Sequence, residues 1–141
     1  MAISFSSGDI QFNLKQKSVL KDWIKAVVRK EKKEAATINY TFTSDEELLK
    51  MNVQYLKHNT FTDIITFDYS DAKKVSGDIF ISVDRVKENA HKFGVAFEEE
   101  LHRVMIHGIL HLCGYKDKTK TDSDLMRKKE NAALRLFKSA K

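Results

Sequence analysis

At 141 residues with a formal net charge of +5, the chain has the length of one domain, 1–141, and can bury a sizeable core. It contains no apolar run long enough for a membrane span and no charged-then-apolar leader at Met1-Ala-Ile-Ser-Phe, which predicts a cytoplasmic protein. Its single cysteine, Cys113, excludes an internal disulfide.

Ile3 and Phe5, then Ile10, Phe12 and Leu14, alternate with polar residues as two short strands would, with a Ser-Gly-Asp turn at 7–9 between them. The period then changes. Val19, Leu20, Trp23, Ile24, Val27 and Val28 form a helical stripe that ends in the charged stretch Arg29 to Glu34. Lysines from Lys15 to Lys33 bracket this helix and read as its solvated face. The segment 37–43 alternates cleanly, with Ile38, Tyr40 and Phe42 on one side of a half-buried strand, and Ser44 with Glu47 predicts a capping box for a helix to about Leu56. Strands at Thr62–Tyr69 and Asp78–Ser82 can pair as a hairpin through a loose connection at 70–77. A helix from about Asp84 to Phe93 closes at Gly94, a buried helix follows at 97–113, and the last helix starts near Asp122 with Leu125, Leu134, Leu136 and Phe137. The prediction is an α+β domain: a small mixed β-sheet packed with helices around one central helix.

That central helix carries the chemistry. His107 and His111 are four residues apart, slightly more than one helical turn, so both imidazoles leave one face and can converge on one cation. Gly114 tolerates the left-handed conformation that ends a helix, which lets the chain turn back and bring Asp117 to the same ion. Two nitrogens and one carboxylate leave a coordination position open, the pattern of a catalytic zinc site rather than a structural one. The alternative is a pair of core histidines bonded to backbone carbonyls. Cys113 falls off the metal face and reads as a small core residue. His58, His91 and His102 lack ligand spacing and read as surface or hydrogen-bonded histidines. Glu100, two turns before His107, shares its face and could act as an outer acceptor or a base, although Glu98, Glu99 and Glu100 also read simply as first-turn acids. Lys116, Lys118 and Lys120 flank Asp117 and are candidates for contact with a polyanion such as RNA.

The run His107-Gly-x-Leu-His111-Leu-x-Gly114-Tyr115, with a ligand ten residues after the first histidine, resembles the YbeY family of bacterial metallo-endoribonucleases. Asn52-x-x-Tyr55, Thr62-Asp63-Ile64-Ile65-Thr66-Phe67 and Gly77-Asp78-Ile79-Phe80-Ile81-Ser82 are similar to three further motifs of that family, in the same order. The resemblance implies one Zn2+ per chain, held by His107, His111 and Asp117. It also implies cleavage of single-stranded RNA at the 3′ end of small-subunit ribosomal RNA and in ribosome quality control, so that ribosomal RNA and the ribosome are the expected partners.

Two positions depart from the family pattern. Its third ligand is usually histidine and here is Asp117, a harder donor that zinc also accepts. The arginine that follows the tyrosine and contacts phosphate is here Leu56, with Lys57 next to it as a point charge without the planar fork. A non-catalytic, metal-binding ribosome factor would tolerate Leu56. A metalloprotease would need a base beside the ion, and the usual position for one is Gly108.

Overall fold

The computed structural model describes residues 2–56 and 62–140. Lys57 and His58 lie outside the described residues.

Four strands, β1 (Ala2–Ser7), β2 (Glu34–Thr43), β3 (Ile64–Asp68) and β4 (Lys74–Ser82), form one sheet in the order β1-β2-β4-β3. β1–β2 and β2–β4 are parallel, and β3 lies antiparallel on the outer edge of β4. Five α-helices among the described residues accompany it: α1 (Lys17–Lys30), α2 (Asp45–Met51), α3 (Val83–Phe93), α4 (Phe97–Leu112) and α5 (Lys120–Ala140). The expected α+β class with a mixed sheet is what the chain adopts. No helix among the described residues is long and apolar enough to cross a membrane.

Alternation decides which side of each strand is dry. Ile38, Tyr40 and Phe42 of β2 and Ile79 and Ile81 of β4 are buried together with α4 residues Met105, Ile106 and Ile109 in one core. Tyr40 keeps its hydroxyl satisfied there by donating to the Met105 carbonyl at 2.9 Å, and burial pushes its ionisation well above the usual range. The other side of the sheet is more polar. Ser4, Asn39 and Asp78 form a side-chain hydrogen-bond ladder across three strands, and Phe67 meets both Tyr55 and Phe80 through edge-to-face contacts. Helix α4 is enclosed by the sheet, α3 and α5, and the Trp23 indole of α1 donates to the Ala133 carbonyl of α5 at 2.8 Å, fixing these two helices to each other.

Several local expectations change. Residues 10–14 are not a strand: the Phe12 N–H is taken by the Ser7 hydroxyl rather than by a ladder partner, and Leu14 reaches the core from a loop. Alternation there reflects packing from irregular chain. Val19 and Leu125 are exposed rather than on the buried stripes of α1 and α5. Ser44 caps α2 by accepting from the Glu47 N–H at 3.2 Å, but the reciprocal half of the box comes from Asp9, whose carboxylate accepts from both the N–H and the hydroxyl of Ser44. α2 stops at Met51 and passes into a wider π-helical turn, Asn52–Leu56. The β3–β4 connection is tighter than expected because Asp71 accepts from the N–H groups of Lys73 and Lys74 and folds the chain back at once.

Gly77 explains the close fit of α4 on the sheet. A Cβ at 77 would lie 2.5 Å from the Phe67 carbonyl oxygen and 2.9 Å from a Leu112 methyl. Gly77→Ala is therefore expected to cost about 2–3 kcal/mol by overpacking against a backbone atom. Chemical denaturation would measure it, and an unchanged midpoint would show that β3 yields freely.

Candidate metal centre

The site is assembled from the C-terminal end of α4 outward. Gly114, at φ 107°, forms a paired cap: its N–H donates to the His111 carbonyl, and the Tyr115 N–H donates back to Leu110, both at 3.0 Å. The chain thus reverses against its own helix. The Tyr115 carbonyl comes to rest 2.9 Å from His111 Nδ1, and Asp117 returns to the imidazoles. Its Oδ2 lies 3.3 Å from Nε2 of His107 and 3.3 Å from Nε2 of His111. One ligand atom from each of the three residues lies within 4.8 Å of the others.

The outer nitrogens set the tautomers. His107 Nδ1 is 2.6 Å from Glu130 Oε2, and His111 Nδ1 faces the Tyr115 carbonyl. Carboxylate and carbonyl oxygens only accept, so each Nδ1 carries the proton and each Nε2 of a neutral ring presents a lone pair to Asp117. Two lone pairs and a carboxylate aimed at one point need a positive charge between them. The donor set fits a divalent ion, with both rings oriented by a second layer of acceptors. The three residues form a group that could hold a metal; of the alternative pairing with backbone carbonyls, His111 has one, that of Tyr115, while His107 bonds the Glu130 carboxylate.

Glu130 of α5 is the residue that sequence reasoning missed. Its side chain is 6 % exposed and binds both His107 and Arg103, the latter through Nη1 at 2.9 Å, while Arg103 Nη2 donates to Asn131 at 2.8 Å. Burial alone would raise the Glu130 pKa. The hydrogen bonds of His107 and Arg103, with their charges, outweigh it and hold the carboxylate below its usual range. For His107 burial favours the neutral ring, yet the hydrogen bond and charge of Glu130, followed by Asp117 and Asp63, raise its pKa. A signal existed in the chain: Glu130 occupies a core position between Met126 and Ala133, Leu134 and Phe137, all buried on α5. An acid in an apolar stripe demands a partner.

Beside the ligands lies a cavity of about 520 Å³. Its inner wall includes His107, Asp117, Glu100, Asp63 and Glu130. Glu100 is buried, unlike Glu98 and Glu99, so it is more than a first-turn acid. Burial, then the charge of Asp63, raises its pKa, and burial raises that of Asp63. A carboxyl raised in the native state stabilises the fold below its unfolded value near 4.5 and loses that contribution as pH rises through its folded value. Glu100→Gln is thus expected to raise the melting temperature of the metal-free protein at pH 7 and to bring no gain at pH 4. A scan at both values checks it, and equal shifts would remove ionisation as the cause.

Lys116 and Lys118 are exposed on either side of Asp117, and Lys120 pairs with Asp124 at 3.2 Å on the surface. None of the three lines the cavity, whose described cations are Arg103 and Arg127. Leu56 is exposed at the end of the π-helical turn. His91 is also exposed, whereas His102 is buried edge-on between Trp23 and Phe137. Cys113 is buried, which pushes its thiol up to about 11. Position 108 faces the sheet: a Cβ there would meet Ile64 at 3.0 Å and Ile79 at 3.1 Å. An acid at 108 would enter the apolar core, away from the imidazoles, so the usual base of the zinc-protease pattern has no place at that position.

The family model described as endoribonuclease YbeY matches residues 2–138. The chain belongs to the YbeY family. Endoribonuclease YbeY of Flavobacterium johnsoniae is 52% identical over 129 residues, covering 92% of this chain and 93% of the relative. The Parabacteroides distasonis protein of the same name is 48% identical over 137 residues, covering 97% and 96%. The solution structure of TM1509 from Thermotoga maritima matches with a TM-score of 0.68 at 29% identity, covering 96% of this chain and 89% of that one. The YbeY fold is therefore common to chains of quite different sequence.

Proposed function

We propose that this YbeY-family chain is a zinc-dependent endoribonuclease that cleaves single-stranded RNA, acting in the cytoplasm on the 3′ end of small-subunit ribosomal RNA and on RNA of defective ribosomes. The observation that carries the reading is the convergence of His107 Nε2, His111 Nε2 and Asp117 Oδ2 with both Nδ1 protons tied to acceptors. The endoribonuclease name shared by the relatives supports the reaction class. A bound divalent ion supplies Lewis acidity that makes water a nucleophile near neutral pH and offsets phosphate charge.

The chain's own groups do the rest. Glu130 and the Tyr115 carbonyl hold the imidazoles in the ligating tautomer. Glu100 keeps a proton more readily than an ordinary glutamate, which suits its carboxyl oxygen to exchange protons with the attacking water or the leaving oxygen. Lys116, Lys118 and Lys120, together with Lys57, would supply positive charge for the RNA backbone. His107 and Asp117 of the donor set line the cavity, where a phosphodiester can approach.

Leu56 favours a second reading, a metal-binding ribosome factor without catalysis, because it leaves an apolar side chain where the family pattern has an arginine. Metal-replete and chelator-treated protein incubated with a single-stranded oligoribonucleotide and its duplex separates the two. Cleavage of the single strand alone, lost with chelator and restored by zinc, is expected. RNA association without cleavage at any zinc concentration would leave the non-catalytic reading standing.

A further inference from the structure

Resting on that reading, we infer that the cavity wall built by the end of α3 and the first half of α5 is a nucleotide subsite, in which Arg127 takes a backbone phosphate and the ring of Phe93 takes a base. The cavity volume of about 520 Å³ is in the range that encloses a small ligand. Its described lining carries five carboxylates, Asp63, Glu100, Asp117, Asp124 and Glu130, against the guanidiniums of Arg103 and Arg127. An excess of acids does not collect a polyanion by its field alone, so RNA must be held by directed contacts.

Arg103 is committed, with one terminal nitrogen on Glu130 and the other on Asn131. Arg127 is not so bound. Its side chain is 61 % exposed, and its nearest ion-pair contact, 3.7 Å to Glu130 Oε1, is with an oxygen that Arg103 already reaches at 2.9 Å. It is the cavity-lining fork that can turn to a phosphate, supplying from α5 what Leu56 does not.

Phe93, the last residue of α3, lines the same cavity and is 55 % exposed. Gly94, at φ 68°, closes the helix directly after it with N–H bonds from Gly94 to His91 and from Val95 to Ala90. Asn89, one turn earlier, also lines the cavity, and its amide can donate to or accept from a base edge. An aromatic plane with an amide one turn away, lining the same cavity as an exposed guanidinium, matches an unstacked nucleotide. A duplex keeps its base faces covered and cannot use the ring, so this wall also provides a physical basis for preferring single strands.

The test uses zinc-loaded full-length wild type, Phe93→Ala, Phe93→Tyr and Arg127→Ala. Anisotropy is read with a fluorescein-labelled, phosphorothioate-linked single-stranded oligoadenylate and with its duplex. Phe93→Ala is expected to weaken single-strand binding about tenfold, the effect of losing one stacked base, while Phe93→Tyr stays within about twofold. Arg127→Ala is expected to lower affinity and to reduce the slope of log Kd against log salt by about 0.7. Zinc content should be unchanged in all four. Both alanine variants binding like wild type, while wild type cleaves RNA, would overturn the subsite and leave the endoribonuclease reading intact. Equal weakening of duplex and single strand by Phe93→Ala would overturn stacking. A zinc-loaded wild type that neither binds nor cleaves would overturn the function and the subsite together.

Discussion

His111→Ala is expected to abolish stable metal binding, and Asp117→Ala to weaken it by an order of magnitude or more. Each removes one of three donors at a point where the remaining two cannot enclose the ion, and loss of a ligand should exceed the roughly 10–100-fold cost of losing an outer partner. Asp117→His is expected to retain the metal, because it exchanges one normal zinc donor for another. Chelator competition on purified variants gives the order: wild type and Asp117→His together, Asp117→Ala below them, His111→Ala lowest. Unchanged affinity in Asp117→Ala would remove that residue from the site.

Glu130→Ala should have the largest effect on stability. It leaves the partly buried Arg103 guanidinium with Asn131 as its remaining hydrogen-bond partner among the described residues and frees the Nδ1 of His107. Removing one member of a buried ion pair costs about 3 kcal/mol, and the lost orientation of His107 should weaken metal binding about 10–100-fold. Glu130→Gln separates the two roles. Its amide can offer oxygen to Arg103 or to His107 but not to both, so one contact is always spoiled. With NH₂ towards His107, Nδ1 must accept, the ring proton moves to Nε2, and the ligand atom is blocked. Denaturation midpoints and zinc affinity, measured on both variants, check this. Normal zinc affinity in Glu130→Ala would show that His107 needs no help from α5.

The features that could be read from the chain are those whose causes are local. His107, His111, Gly114 and Asp117 lie within eleven residues, and helix geometry plus one positive-φ cap brings them together. The strand at Ile38, Tyr40 and Phe42 and the stop at Gly94 were legible for the same reason. The residues that orient the site were not. Glu130 is 23 positions from His107, and Asp63 lies just before the edge strand β3, so no spacing rule connects either to the imidazoles. The segment at 10–14 shows the opposite error: its alternation is real, but the Phe12 N–H is satisfied by Ser7, and apolar side chains pack inward from a loop without any ladder. Asp9 in the role expected of Glu47 is a tertiary contact across 35 residues that only the folded chain reveals.

The measurement closest to the central claim is elemental analysis of wild-type protein purified without chelators, together with its initial rate on single-stranded RNA. About one zinc per chain is expected, with cleavage that rises and falls in proportion to zinc content through a chelator titration. A protein that holds no metal after zinc addition and dialysis, or whose cleavage is unaffected when the metal is removed, would contradict it.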